Sequence, residues 1–223
     1  MRRSFLAVIA ACIILALAGC GGGGSSPPPI FEAKILSDPG FDGDIEFTPP
    51  TSFTVTEGMS LSLSPPVQSV FAGLVPGSTS EFRAFLDFPL RGQGGVPFNA
   101  VIDSAFLDIV ITSIQPSTGT IPIRIELVSF QPPTLLASDF DRTIQPPLAF
   151  TTILPPISLA DVGQSVAVDV TPLMVMAQRL GLTDFQVRVM EDLGFVSPGL
   201  IEINDTTGAN RPLLAPLLHV TFF

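Results

Sequence analysis

Apolar and polar residues alternate with period two through much of the chain. Phe82, Ala84, Leu86 and Phe88 fall on one face of an extended segment, with Arg83 and Asp87 on the other. Ala105, Leu107, Ile109 and Ile111 repeat the pattern, and Ile121, Ile123, Ile125 and Leu127 stand opposite Arg124 and Glu126. Successive side chains of a strand point to opposite faces, so each run predicts a half-buried strand, one face in a core and the other in solvent. Val166, Val168 and Val170 extend the set, as do Phe185, Val187 and Val189, then Ile201 with Ile203, and finally Leu218, Val220 and Phe222. Turn-forming clusters at Gln115 to Gly119, Gln131 to Pro133 and Gln145 to Pro147 separate the runs. About seven or eight strands without alternating helices predict an all-β, antiparallel sandwich.

One segment carries helical spacing instead. Leu173, Met176, Ala177 and Leu180 share a face, Thr171 suits the N-cap, Pro172 the first helical position, and Gly181 the left-handed residue that ends a helix. The reading is a short helix plugging one end of the sandwich. A methionine-lined groove on Met174 and Met176 is the alternative.

The N-terminus has a different character. Arg2 and Arg3 precede an uncharged apolar run from Phe5 to Ala18, shorter than the roughly 20 residues a membrane-spanning helix needs. The run ends in Leu17-Ala18-Gly19-Cys20, which resembles the lipobox of bacterial lipoproteins. That resemblance implies a signal peptide over residues 1–19, cleavage before Cys20, and acylation of its thiol. Gly21 to Gly24, Ser25, Ser26 and Pro27 to Pro29 then read as a tether, so the chain divides into 1–19, 20–29 and a β-sandwich domain over 30–223. One acyl chain anchors marginally and two or more anchor stably, which makes the membrane a partner. Gly21, rather than aspartate, follows the cysteine, which points to the outer membrane or cell surface rather than the inner membrane.

Charge narrows the partners further. Losing Arg2 and Arg3 from the ten basic residues leaves eight against 20 acidic ones, a formal charge of −12. Such a surface repels phosphate backbones and argues against nucleic acid. Cys12 leaves with the signal and Cys20 is consumed by lipid, so the mature domain has no disulfide and no thiolate metal site. Its stability must come from the core, for which 18 phenylalanines and many aliphatic residues supply the filling.

Five short motifs occur in order: Asp42-Gly43-Asp44; Arg83-Ala84-Phe85-Leu86-Asp87-Phe88; Ile102-Asp103-Ser104-Ala105-Phe106-Leu107; Val168-Asp169-Val170-Thr171; and Arg211-Pro212-Leu213-Leu214. Together they resemble the DNRLRE-domain family over roughly residues 42 to 222. The resemblance implies a jelly-roll β-sandwich in extracellular bacterial proteins, related to carbohydrate-binding modules, with the last motif in a strand. The sequence that names the family is absent, and the chain has no Trp and no Tyr, the rings that sugar-binding surfaces favour.

Candidate chemistry is sparse. His219 is the one histidine and lies opposite Leu218 and Val220 in the last strand; it has no nucleophile elbow to serve and cannot alone ligate zinc. No catalytic constellation emerges, and the chain reads as no enzyme; a carboxylate-based glycan hydrolase or lyase is the distant alternative. Calcium, which takes six to eight oxygens, is the metal to consider. Asp38, Asp42, Asp44 and Glu46 cluster in a Gly-containing turn and form the candidate set; Asp139 with Asp141, and Glu202 with Asn204 and Asp205, are lesser ones. The expectation is a non-catalytic, lipid-anchored envelope module with a structural, adhesive or binding role toward an envelope protein or a glycan, with a carbohydrate-binding module as the alternative.

Overall fold

The computed structural model describes residues 28–57, 69–116, 118–130, 135–192 and 199–223. The signal segment 1–19, Cys20, most of the tether over 20–29, and the Gln131 to Pro133 turn lie outside the described residues. The described chain is an antiparallel β-sandwich with two short helices. Its strands are β1 (Phe31–Leu36), β2 (Gly43–Thr48), β3 (Ser52–Glu57), β4 (Ser69–Leu74), β5 (Glu81–Pro89), β6 (Ile102–Gln115) and β7 (Thr120–Ile121). They continue as β8 (Ile123–Val128), β9 (Ala149–Thr152), β10 (Ile157–Ser158), β11 (Ser165–Asp169), β12 (Asp184–Glu191), β13 (Leu200–Asn204) and β14 (Leu217–Phe222).

The strands form one curled sheet in the order β1-β14-β6-β13-β4-β5-β12-β8-β9, with β11 added to β6 and the β2–β3 hairpin added to β5. β7 and β10 make a separate pair. The fourteen-residue β6 pairs with β14 and β11 along its first part and with β13 along its second. The alternating runs of the sequence face inward together: Ala84, Leu86, Phe88, Leu107, Ile109, Ile111, Ile123, Ile125, Leu127, Phe185, Val187, Val189, Ile201, Ile203, Leu218 and Val220 are all fully buried. Helix α1 (Thr171–Arg179) buries Leu173, Met174 and Ala177 and packs on β6, β9, β12 and β8. It therefore closes one end of the sandwich, as its apolar face requires.

The strands β5, β12 and β8 are not half-buried, contrary to the alternation. Their outward residues Arg83, Phe85, Asp87, Glu126, Val128 and Arg188 are buried too. The cause is a cover: the segment from Leu135 through a 3-10 turn (Ala137–Phe140) to Gln145 packs on this face, beside the β2–β3 hairpin that extends the sheet from the edge of β5. A second core of Ile45, Phe85, Val128, Phe130, Leu135 and Phe140 fills the gap, with Phe47 packed against it.

A covering segment with little regular structure must satisfy its carbonyls some other way. Arginine, with five donors in a planar fork, does so here. Arg188 donates to the Asp139 carbonyl at 2.8 Å and the Gln145 carbonyl at 3.1 Å, while its Nε and Nη2 hold Glu126 Oε2 at 3.0 and 2.7 Å. Arg83 donates to the Phe140 carbonyl, lies 3.9 Å over the Phe140 ring, and pairs with Glu81 at 2.7 Å. The other Glu126 oxygen faces Arg124 at 2.9 Å and Arg142 at 2.8 Å, so one buried carboxylate neutralises part of three guanidinium charges.

Two local expectations change. Thr171 is not the N-cap: Val170 occupies that position, and Thr171 in the first turn accepts a bond from the Ala105 amide at 2.9 Å, tying α1 to β6. Gly181 does take the left-handed conformation, at φ 66°, just past the helix end. Arg211–Leu214, expected in a strand, is a short helix, α2, because Pro212 suits a first turn and the final strand begins only at Leu217.

Glu126 is the keystone of the outer layer, which makes a prediction. Glu126→Gln leaves Arg188 uncompensated and should cost about 3–5 kcal/mol of unfolding free energy, whereas Arg142→Ala, at the half-exposed rim, should cost under about 1 kcal/mol. Urea unfolding followed by circular dichroism measures both; equal losses would mean that the carboxylate is not what organises this face.

Candidate functional site

The four acids of the candidate calcium set do not form one ligand set. They do not share a turn either, since Asp44 and Glu46 lie in β2. Asp38 accepts from the Gly40 amide at 2.9 Å within its own turn, and Glu46 accepts from the Thr48 hydroxyl at 3.3 Å. Asp42 and Asp44 are buried and turn to different backbone amides, Asp42 to Asp87 at 2.8 Å and Asp44 to Phe71 at 3.0 Å. Among the described residues no three His, Cys, Asp or Glu side chains stand together as a metal-ligand group.

The lesser acidic sets are committed as well. Asp139 caps the 3-10 turn through the Leu136 amide at 2.8 Å, and Asp141 accepts from the amide and hydroxyl of Thr143 at 2.7 Å each. Glu202 accepts from Ser69 at 2.8 Å and Ser113 at 2.7 Å, bridging β4 and β6 across β13. Asn204 accepts from the Thr206 amide at 3.0 Å. His219 lies on the outward face of β14, 3.5 Å from Glu32, in register with Lys34, Phe106 and Asp169 across β1, β6 and β11.

Asp42 instead meets Asp205, which sequence grouped with Glu202. The two carboxyls share a buried clasp with the Ser37 hydroxyl and the Arg211 guanidinium. Arg211 reaches Asp205 at 3.4 Å, the Thr206 carbonyl at 3.2 Å and the Ser37 carbonyl. Burial, then the neighbouring Asp205 charge, push Asp42 well above the usual carboxylate range; burial raises Asp205 to about 6 against the pull of Arg211. Two adjacent carboxyls cannot both ionise in a dry site, so a proton held between them supplies their hydrogen bond. The pair is buried and holds loops together. Asp87 joins the clasp through Asp42, and Gln186 donates to its carboxylate at 2.7 Å. Acids and arginines from the first, second and last motifs thus act as buried fasteners.

The exposed phenylalanines are spread over β1, β3, β6, β9, the loop after β5 and the C-terminus. Phe53 packs on Phe47 and Phe140, Phe150 lies under Arg124 at 3.6 Å, and Phe31 stacks on Phe222 at 5.9 Å. Among the described residues, no one sheet face gathers them into a stacking platform. Phe98, at 89% exposure, stands in none of these ring contacts.

Phe98 belongs to the rim of a cavity of about 640 Å³ between the loop after β5 and the end of α1. Leu90, Val96, Pro97, Met174 and Leu182 make its apolar wall, and Arg91 and Gln178 its polar points. Gln178 Nε2 donates to the Ala100 carbonyl at 2.5 Å and the Pro97 carbonyl at 3.2 Å, which fixes the loop against the helix. Gly95 sits where an added Cβ would lie 2.1 Å from the Leu90 carbonyl, so the loop folds back this tightly only with glycine there. Of the two methionines, Met174 lies in the main core and reaches the cavity wall, whereas Met176 packs against that core and does not line the cavity. The loop's part was not read from sequence; Gly92, Gly94 and Gly95 followed by Val96-Pro97-Phe98 were the available signal.

β1 and β6 begin, β14 ends, and α1 crosses at this same end of the sandwich. Phe31 pairs with Phe222, which pairs with Ile102, and Phe223 exchanges backbone bonds with Val101 at 2.8 and 3.1 Å. The cavity therefore opens beside the point where the chain enters the domain.

Several buried carboxyls have raised pKa values, which sets a pH dependence. Burial lifts Asp44 to about 7 and Asp87 to about 6, alongside Asp42 and Asp205. Their folded values exceed the unfolded ones near 4, so the stabilisation is complete below that range and is lost as pH rises through 6 to 7. The thermal midpoint should fall by roughly 5–10 °C between pH 5 and pH 8, and Asp44→Asn should flatten the slope. A midpoint that rises over this interval in calorimetry would contradict the assignment. No family model matches the chain, and no curated protein matches it, so the functional reading rests on this geometry.

Proposed function

We propose that the protein is a non-catalytic, lipid-anchored module of the bacterial cell envelope, with a structural, adhesive or binding role. One observation carries the reading. The buried acids that sequence analysis offered for chemistry are fasteners, while the cavity is lined for recognition, with an apolar wall, an exposed ring and few polar groups. Enzymes that work with carboxylates need two of them facing a substrate groove. Asp42 and Asp205 face each other and Arg211 instead. The anchor belongs to the proposal through the lipobox resemblance at Cys20 and the short charged-then-apolar segment before it.

The alternative is a carbohydrate-binding module, favoured by Phe98 and Arg91 on the cavity rim. A ring can stack on a sugar face and a guanidinium can bond its hydroxyls. Residues 1–19, Cys20 and the family resemblance suit either reading.

Two measurements separate these possibilities. Expressed in a bacterium fed an alkyne fatty acid, the full chain should incorporate label, and Cys20→Ser should abolish it; label retained in the variant would overturn the anchor. On a glycan array, run with calcium and with chelator, the structural or adhesive reading expects no saturable binding. Saturable binding that Phe98→Ala weakens roughly tenfold would establish the carbohydrate module instead.

A further inference from the structure

We propose that the end of the sandwich where the chain enters is a membrane-docking surface, on which Ile30, Phe31, Phe98, Val101 and Phe223 insert among the headgroups of the bilayer that holds Cys20. The proposal rests on the lipid anchor of the preceding subsection and adds an orientation to it.

These five side chains are 69%, 53%, 89%, 55% and 43% exposed, on backbone segments bonded to one another at a single end of the domain. Apolar side chains scattered singly on a surface carry no meaning, whereas a group gathered at one end of a domain suits an interface. Other large apolar side chains are exposed as well, Ile144, Leu154 and Leu213 among them, but these lie on three separate segments, whereas the five share one end of the domain. Phe31 and Phe223 flank β1 and β14, so the group borders the end of the core that α1 covers, on the side of the loop that carries Phe98.

The occupant follows from the chain outside the described residues. Residues 21–29 separate Cys20 from Ile30, and a Gly-rich segment of this length has a root-mean-square span of roughly 15–20 Å. A patch tethered that closely meets the bilayer at an effective concentration of about millimolar or more, so an interfacial affinity too weak to hold a free protein is enough. A protein partner has no comparable advantage at this end. Arg91 and Arg179, which form no ion pair among the described residues, stand at the same end, but so do Glu32, Asp103, Asp169 and Asp184. The surface is not cationic. Docking is therefore by apolar insertion, on zwitterionic lipid as well as anionic.

The chain contains no Trp and no Tyr, so one introduced indole reports alone. The full lipidated protein carrying Phe98→Trp is reconstituted into phosphatidylcholine vesicles with brominated acyl chains and compared with Leu154→Trp. Leu154 is 81% exposed just past β9, beside the start of β8 and the end of β12, at the opposite end of the sandwich. The expected result is blue-shifted emission from the Phe98→Trp protein, with quenching about threefold or more above that of the control. Equal quenching in proteins that float with the vesicles would overturn docking and leave the anchor standing. Failure of both proteins to float would overturn the anchor, and the docking surface with it.

Discussion

A sheet covered on both faces has no water to satisfy its polar groups, and that constraint shapes the molecule. On the strands β5, β12 and β8, the inward face is filled with aliphatic and aromatic side chains as in any sandwich. The outward face carries Arg83, Asp87, Glu126, Gln186 and Arg188, none of which reaches solvent. Their polar atoms are met mainly by one another and by the carbonyls of the covering segment. The cover and the charged face are thus one structure: without the arginines, its carbonyls lack donors, and without the cover, the arginines would be surface residues of small energetic weight.

That coupling explains which parts of the fold were legible in sequence and which were not. Strand positions such as Leu107, Ile125 and Val187 announced themselves by period two, because the core face accepts only apolar groups. The same rule misread Arg83, Asp87 and Glu126 as solvent-facing, since a charged residue paired beneath a loop has the same letter as one in water. β1 to β4 escaped the pattern for a related reason. Asp44 and Glu46 occupy alternate positions of β2 and looked like turn acids, though Asp44 is a buried acceptor for the Phe71 amide. The helix was readable to its ends at Pro172 and Gly181, while its real start depended on a hydrogen bond to β6, a contact 66 residues away in sequence.

At the candidate site the division is similar. Met174 was visible on a helical face, but its partners lie in the loop after β5, where spacing carries no period. The acids drew attention as a group because they are close in sequence. Folding separates them, sending Asp42 to Asp205 and Asp44 to β4, and leaves the cavity rim to a phenylalanine and an arginine that had no motif around them. The start of β1 and the loop that lines the cavity reach one end of the sandwich only through topology, because β1 and β6 begin and β14 ends there.

The pairing of β1 with β14 carries a further consequence. Residue 31 finds its strand partner only at residue 222, and the Ser37 carbonyl meets the Arg211 guanidinium 174 positions later. For a chain delivered N-terminus first, the first strand of the domain has nothing to pair with until the last has emerged, and closing so long a loop is slow. Such a fold stays open for nearly the whole of the chain's emergence and closes only when the last strand arrives.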